Sequence, residues 1–471
     1  MSEPARRRPV SLRAIDLPEF GSSEEEPRLG AATYRARLAR ARRRMAEAGL
    51  DRLLVWGDRE HHANLAYLTG YDPRFEEALL ILAADGVPRL LVGLEGWAYA
   101  TLCPVELERV LYQPFGLLGQ PRDGLVPLEP ILAGSGIGPG TRIGVAGWKY
   151  RETGSAEEQA QWHDAPSYLI DLLRRMTGGE RHVVNAARLF ADPATGLRAV
   201  NEVEQLAMFE YAACVTSTAM RDLIRGIRPG MTEYQAVQQM RLNGMPLSVH
   251  LMLSSGPRAA VGLGSPSSRR LVRGEYVSAA YGVWGALNAR GGFLAAGADE
   301  LAPGIRDYVG KLVAPYFAAV VEWYETLAIG LPAGRLHEIV QRHLGDPFFG
   351  IGLNPGHLIH LEEWLSSPVQ PGSEIPLASG MALQCDIIPA TGTAYMSTNI
   401  EDGIALADTA LREAFAADYP EAWRRIEARR AFMTSRLGIR LAPEVLPFSN
   451  IPAWLPPFLL SPGQAMTASA A

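Results

Sequence analysis

Between residues 34 and 48 the apolar positions recur at helical spacing. Leu38, Ala41 and Met45 share one face, and Gly49 stands where a helix would be capped. The period then changes. Residues 53–56, 78–82 and 89–92 are short apolar runs of strand length, and Asp85-Gly86 between the last two is a hairpin signal. Residues 142–145 read as a further strand and 167–176 as an amphipathic helix. This alternation predicts an α/β domain over residues 31–193, ending at Asp192-Pro193.

The second half has a different rhythm. A long helical pattern over 201–227 breaks at Arg228-Pro229-Gly230, and a second helix over 232–241 starts from Thr232 as N-cap. Strand-like runs follow at 251–254, 276–284 and 292–295, then helices at 304–324 and 336–344, then strands at 382–388 and 403–406. Helices before and between antiparallel strands predict an α+β domain over 194–408. Residues 409–471 form a tail. It is charged and helical to 437, breaks at Pro420 and stops at Gly438. The stretch 443–462 is rich in Pro and large apolar residues, so it is neither helix nor central strand. It is expected to lie extended over an apolar surface of its own chain or of a partner. Residues 1–30 mix Arg, Pro, Ser and Glu without periodicity and read as a loosely ordered arm.

Composition narrows the class. The 471 residues are 48% hydrophobic and 20% charged, with a net charge of −6. That balance argues against a nucleic-acid binder, which needs a basic face. No apolar run reaches bilayer length, and none follows the N-terminal arginines as a signal peptide would, so no membrane partner and a cytoplasmic location are expected. Cys103, Cys214 and Cys385 are widely spaced and odd in number, which excludes a disulfide framework and fits a reducing compartment. Cys385 reads as a small core residue.

Several short segments fall in one family's order. They are the run from Ala63 to Tyr71 containing Asn64, Tyr67-Leu68-Thr69-Gly70; Asn201-Glu202-Val203-Glu204; Arg228-Pro229-Gly230-Met231-Thr232-Glu233; Ser255-Gly256-Pro257; Arg273-Gly274-Glu275; Gly356-His357; Gly380-Met381; and Asn399-Ile400-Glu401-Asp402-Gly403. Over residues 34–408 the chain resembles the creatinase/prolidase/Xaa-Pro aminopeptidase superfamily. The resemblance implies a creatinase-like N-terminal α/β domain followed by a pita-bread catalytic domain. It also implies a homodimer.

In that family's metallopeptidases two aspartates, a histidine and two glutamates hold two divalent cations, because a bridged pair needs several anionic oxygens. The resemblance places Ala280 at the first aspartate and, as best match, Asn288 at the second. It places His357 at the histidine, Asp386 and Glu401 at the glutamates, and Leu263 near a further substrate-side histidine. A methyl group and a neutral amide under-neutralise a metal pair, so a degenerate site without a dinuclear centre is expected. His357, Asp386 and Glu401 are the expected catalytic residues. If a metal binds, they are the ligands of a single Mn, Zn or Fe ion; otherwise no cofactor is needed.

The leading expectation is a creatinase-like hydrolase of a C–N bond in a small zwitterionic metabolite. Carboxylates would grip a cationic nitrogen and His357 would move protons. A single-metal Xaa-Pro-type peptidase, a non-catalytic binding protein and a lyase stand as alternatives. Arg74, Asn288 and His360 are the expected substrate-binding residues. The resemblance implies that the N-terminal domain of one subunit reaches the other's pocket, where Arg74 would meet a substrate carboxylate; the alternative is a surface salt bridge with Glu76 or Glu77. His360 would replace the absent histidine, although in a strand it would face away from His357. Tyr281, Trp284 and Trp364 are either pocket lining or core.

Overall fold

A computed structural model of the chain describes residues 8–260 and 262–469. It forms two compact units. Leu29–Ala199 is one, and the segment before it joins Val200 onward to make the other. Residues 1–7 of the N-terminal arm lie outside the described residues. No helix among the described residues is long and apolar enough to cross a membrane.

The strands are β1 (Val10–Ala14), β2 (Arg52–Gly57), β3 (Ala78–Ala83), β4 (Arg89–Val92), β5 (Glu108–Leu111), β6 (Ile143–Ala146) and β7 (Val183–Asn185). They continue with β8 (Met252–Ser255), β9 (Tyr276–Val283), β10 (Ala286–Phe293), β11 (His357–Leu358), β12 (Ala382–Asp386), β13 (Asn399–Leu406), β14 (Val445–Pro447) and β15 (Gln464–Ala468).

In the unit Leu29–Ala199 six strands form a mixed sheet in the order β5-β4-β3-β2-β6-β7. The apolar runs are continuous because both faces are covered. Leu53, Val55, Leu80 and Leu90 enter one core with Leu38, Ala41 and Met45 of the helix Ala31–Glu47. Leu54, Trp56, Leu79 and Leu91 enter a second with Leu169 and Leu173 of the helix Ser167–Thr177. The expected Asp85-Gly86 turn joins the antiparallel pair β3 and β4, with Gly86 at φ 76°.

The other unit is built on a seven-stranded sheet, β11-β12-β13-β10-β9-β8, with β14 also paired to β13. A two-residue turn, Trp284-Gly285, closes the hairpin β9–β10 and pairs Val283 with Ala286. One face is covered by the helices Val203–Gly226 and Ala314–Thr326. Thr216 of the first donates to the Asn288 side chain (2.7 Å), and the Tyr316 hydroxyl of the second accepts from the Ile400 N–H (2.6 Å).

Three sequence expectations are corrected here. The strand expected at 292–295 runs instead from Ala286 to Phe293, because full pairing with β9 overrides the loop-like composition of Asn288, Arg290, Gly291 and Gly292. The helix expected over 232–241 is only Glu233–Gln238. The N-terminal arm, expected to be loose, is ordered from residue 8. β1 pairs with β15, Glu19 pairs with Arg221 and Arg225, and the Gly21 carbonyl accepts from Asn450 (2.8 Å). These partners supply the order that its composition lacks.

The Pro-rich tail lies on its own unit. It wraps a buried ion pair between Arg290 and Asp402 (2.8 Å) on the helix-covered face. Arg290 donates to the carbonyls of Trp454 (2.8 Å) and Ile451 (2.6 Å), while Asp402 accepts from the Ser449 hydroxyl (2.8 Å) and the Ala453 N–H (2.8 Å). A second buried cluster ties the tail helix Pro420–Phe432 to the helix Val203–Gly226. There Glu210 accepts from Arg425 (2.6 Å) and Arg429 (2.7 Å).

Candidate active site

The register of the seven-stranded sheet creates one row of directly opposed residues. Asp386 faces Glu401, Glu401 faces Ala289, Ala289 faces Ala280, and Ala280 faces Met252. Directly opposed residues of an antiparallel sheet project from the same face, with Cβ atoms about 4.5–5.5 Å apart. The row therefore reads carboxylate, carboxylate, methyl, methyl, thioether across five strands. All five residues line a cavity of about 510 Å³ on the face away from the covering helices.

His357 enters from β11, opposite Gln384, two residues before Asp386 and on the same face. Its Nε2 lies 3.3 Å from Glu363, 3.6 Å from Glu401 and 3.9 Å from Asp386. Its Nδ1 is 3.2 Å from the Leu358 carbonyl, so a proton there turns Nε2 toward the carboxylates. Trp364 stacks on the imidazole, with ring centroids 4.1 Å apart and planes 15° from parallel. Glu363 and Trp364 arrive because the segment after His357 doubles back. The Leu358 N–H donates to the Ser366 carbonyl (2.8 Å) and the Leu365 N–H to the Leu358 carbonyl (2.9 Å).

This cluster is short of positive charge. Burial first, then the neighbouring Glu401, raise the Asp386 carboxyl well above the usual carboxylate range, against the pull of His357. Burial and Glu363 likewise push Glu401 well up, although Gln384 donates to it at 3.4 Å. His357 Nε2 and Asp386 Oδ1, both buried, find no hydrogen-bond partner among the described residues. Donor atoms of His357, Asp386 and Glu401 lie within 4.8 Å of one another. At metal–ligand distances of about 2.0–2.2 Å, such a set closes on one ion with a small contraction. A second ion would have to lean on Ala289 and Ala280, which offer methyl groups. The three donors fit one cation.

Residues 37–145 match the family model of the creatinase/prolidase N-terminal domain. The dipeptidase PepE from Mycobacterium ulcerans superposes with a TM-score of 0.59 at 20% identity, over 81% of this chain and 95% of that one. The prolidase from Pyrococcus horikoshii OT3 gives a TM-score of 0.60 at 16% identity, over 79% and 95%. The X-Pro aminopeptidase from Thermotoga maritima MSB8 gives 0.59 at 15%, again over 79% and 95%. The chain has the creatinase/prolidase fold. No curated protein matches it significantly.

Within the creatinase/prolidase fold the expected site residues divide sharply. His357, Asp386 and Glu401 come together as described. Asn288 does not join them. The register puts Ala289, not Asn288, in the row, and a one-residue step in a strand reverses the face. Asn288 points to the helix-covered side, where its amide donates to Asp402 (2.7 Å) and Ser449 (3.1 Å). The position beside Ala280 is thus a second methyl rather than an amide. His360 is also corrected. It is fully buried edge-on against Phe209, with centroids 5.3 Å apart, and does not line the cavity, because the reversal after Leu358 turns it away.

Arg74 belongs to the unit Leu29–Ala199, where Asp72 holds its guanidinium at 2.9 and 2.7 Å. It forms an ion pair with Asp72. Glu76 instead accepts the N–H groups of Glu95 (3.1 Å) and Gly96 (2.9 Å). Trp364 lines the cavity, whereas Tyr281 is core, and Trp284 is not among the lining residues.

Sequence reasoning overlooked Glu363, Gln384 and His250. Glu363 was legible only as an acid six residues past His357. His250, at the rim with its Nε2 3.0 Å from the Leu263 carbonyl, carried no sequence signal.

Proposed function

We propose that this chain hydrolyses a C–N bond in a small compound bearing a cationic nitrogen, using a creatinase-like site without a bridged metal pair. The likeness to a dipeptidase, a prolidase and an X-Pro aminopeptidase supports hydrolysis as the reaction class. One observation carries the rest: Glu363, Asp386 and Glu401 surround one imidazole, and two methyl groups continue their row. A guanidinium, amidinium or ammonium group neutralises such a cluster through charge-assisted hydrogen bonds. Water then adds to the carbon of the scissile group. His357, held at Nδ1 by the Leu358 carbonyl, takes the proton of that water at Nε2. Asp386 or Glu401, kept protonated by burial and mutual repulsion, returns a proton to the departing nitrogen. For a zwitterionic substrate, Arg74 is the sequence candidate for the carboxylate, and it would have to exchange Asp72 for that group. A homodimer is part of the same proposal, measurable by light scattering.

The cluster's geometry also favours a second reading, a single-metal peptidase. His357, Asp386 and Glu401 would hold one divalent ion, which would act as a Lewis acid on the scissile group. The Leu358 carbonyl at Nδ1 and the stacked Trp364 would orient the imidazole.

The test pairs elemental analysis of native protein with release of ammonia, amine or urea from amides, amidines, guanidines and Xaa-Pro dipeptides. Turnover that persists in chelator and vanishes in His357→Ala is the expected result. One ion per chain with chelator-sensitive turnover selects the second reading. Two tightly held ions per chain would sink both, and ligand binding without any turnover would leave a binding protein.

A further inference from the structure

Resting on that reading of the cavity, we infer that its ligand is a cation with an apolar body and no carboxylate group. The row across the sheet is polarised. With strands about 4.8 Å apart, four intervals from Asp386 to Met252 span roughly 19 Å. Charge sits at one end only: Asp386 and Glu401, with Glu363 beside them. From Ala289 to Met252 the floor is apolar, and Leu353 and Ile388 extend it into the wall. No lysine or arginine occurs among the described residues that line the cavity. Asn399 and the lining hydroxyls are neutral, and His250 has its Nε2 engaged by the Leu263 carbonyl.

A ligand whose nitrogen cation meets the carboxylates therefore lays its remaining atoms over methyl groups. A carboxylate on that part of the ligand would be desolvated beside apolar groups and left unpaired. The zwitterionic substrate expected from the sequence needs a cation in this half of the site, and the described lining of this chain supplies none; Arg74 is held by Asp72. An apolar body, by contrast, gains with each methylene it buries.

Four probes separate these terms by calorimetric titration of the full chain. They are benzylguanidine, methylguanidine, the zwitterion 4-(guanidinomethyl)benzoate, and benzoate. Benzylguanidine is expected to bind at least about tenfold more tightly than each of the others. Glu401→Gln should weaken both simple guanidines and leave benzoate unaffected. Leu263 is 64% exposed at the rim, so Leu263→Arg should fold, and it should narrow the gap between benzylguanidine and the zwitterion. The inference is overturned if the zwitterion binds as tightly as benzylguanidine, if methylguanidine does, or if benzylguanidine fails to bind. If the ranking holds but no C–N bond is cleaved in any compound, the hydrolase reading falls and this inference stands. If a zwitterion is cleaved and preferred, the reverse applies.

Discussion

His61 carries a pH signature that can be worked through. Its Nδ1 lies 2.8 Å from Asp58 and its Nε2 3.6 Å from Asp164. Burial alone would lower its pKa, but the two carboxylates outweigh that and carry it up to about 9. Asp58 and Asp164 are both held below the usual carboxylate range. Asp58 also accepts from the Trp56 indole (2.7 Å), and Asp164 from the backbone N–H groups of Trp148 (2.7 Å) and Lys149 (2.6 Å). A histidine whose folded pKa exceeds its unfolded value of 6.5 stabilises fully below pH 6.5, and loses that contribution as pH rises through about 9. The gap corresponds to at most about 3 kcal/mol. Solvent screening at this half-buried site reduces it to about 1–2 kcal/mol.

His61→Gln should therefore lose about 1–2 kcal/mol at pH 6, a penalty shrinking toward zero at pH 10. Urea unfolding of both proteins at the two pH values, followed by tryptophan fluorescence, measures the difference and cancels titrations common to both. A penalty equal at both pH values, or larger at pH 10, would refute the reasoning.

Three further outcomes follow from the other unit. Arg290→Met strands the buried Asp402 carboxylate and should cost about 3–5 kcal/mol in urea unfolding; adding Asp402→Leu should not restore the loss, because it leaves the donors of Asn288, Ser449 and Ala453 unmatched. Ala289→Asp places a third oxygen donor in the row and should raise the divalent metal retained per chain, read by elemental analysis. Asn288→Asp should not, because its side chain faces Arg290 and Asp402; equal metal uptake by the two would disprove the register argument. Glu233 accepts from the N–H and hydroxyl of both Ser255 and Ser267, and pairs with Arg258, so it clamps the two ends of a loop that lines the cavity. Glu233→Gln weakens several charge-assisted bonds, each worth about 1.5–3 kcal/mol at most. Limited proteolysis within that loop should then speed up severalfold, and unchanged cleavage would count against the clamp.

The sheet of the unit Leu29–Ala199 was legible because its strands are buried on both faces. Runs such as Leu53–Trp56 then need no alternation to be recognised, and Gly49 and Asp85-Gly86 punctuate them. β10 was not legible, since Asn288, Arg290 and two glycines resemble a loop until the hairpin with β9 pairs them. The same blind spot displaced the methyl row by one residue: sequence spacing cannot fix a register that depends on a two-residue turn. His357, Asp386 and Glu401 were found through short motifs that keep their order along the chain. Glu363 escaped, and Trp364 could not be told from a core aromatic, because the reversal at Leu358 is made by backbone bonds to Leu365 and Ser366, which leave no compositional trace. The order of the N-terminal arm was invisible for a different reason: Ser11 finds Thr467 across 456 positions.

That last pairing bears on the sequence of events during synthesis. Leu29–Ala199 is a contiguous guest inserted between two pieces of a host, and its own contacts are complete once its last residue has emerged. The host is not so placed. β1 leaves the ribosome before the other described strands, yet its backbone donors and acceptors have no mate until β15 is made. Closing so long a loop is slow. While the residues between them are translated β1 is therefore an unmatched ribbon, and the host is sealed only when β1 and β15 are zipped together.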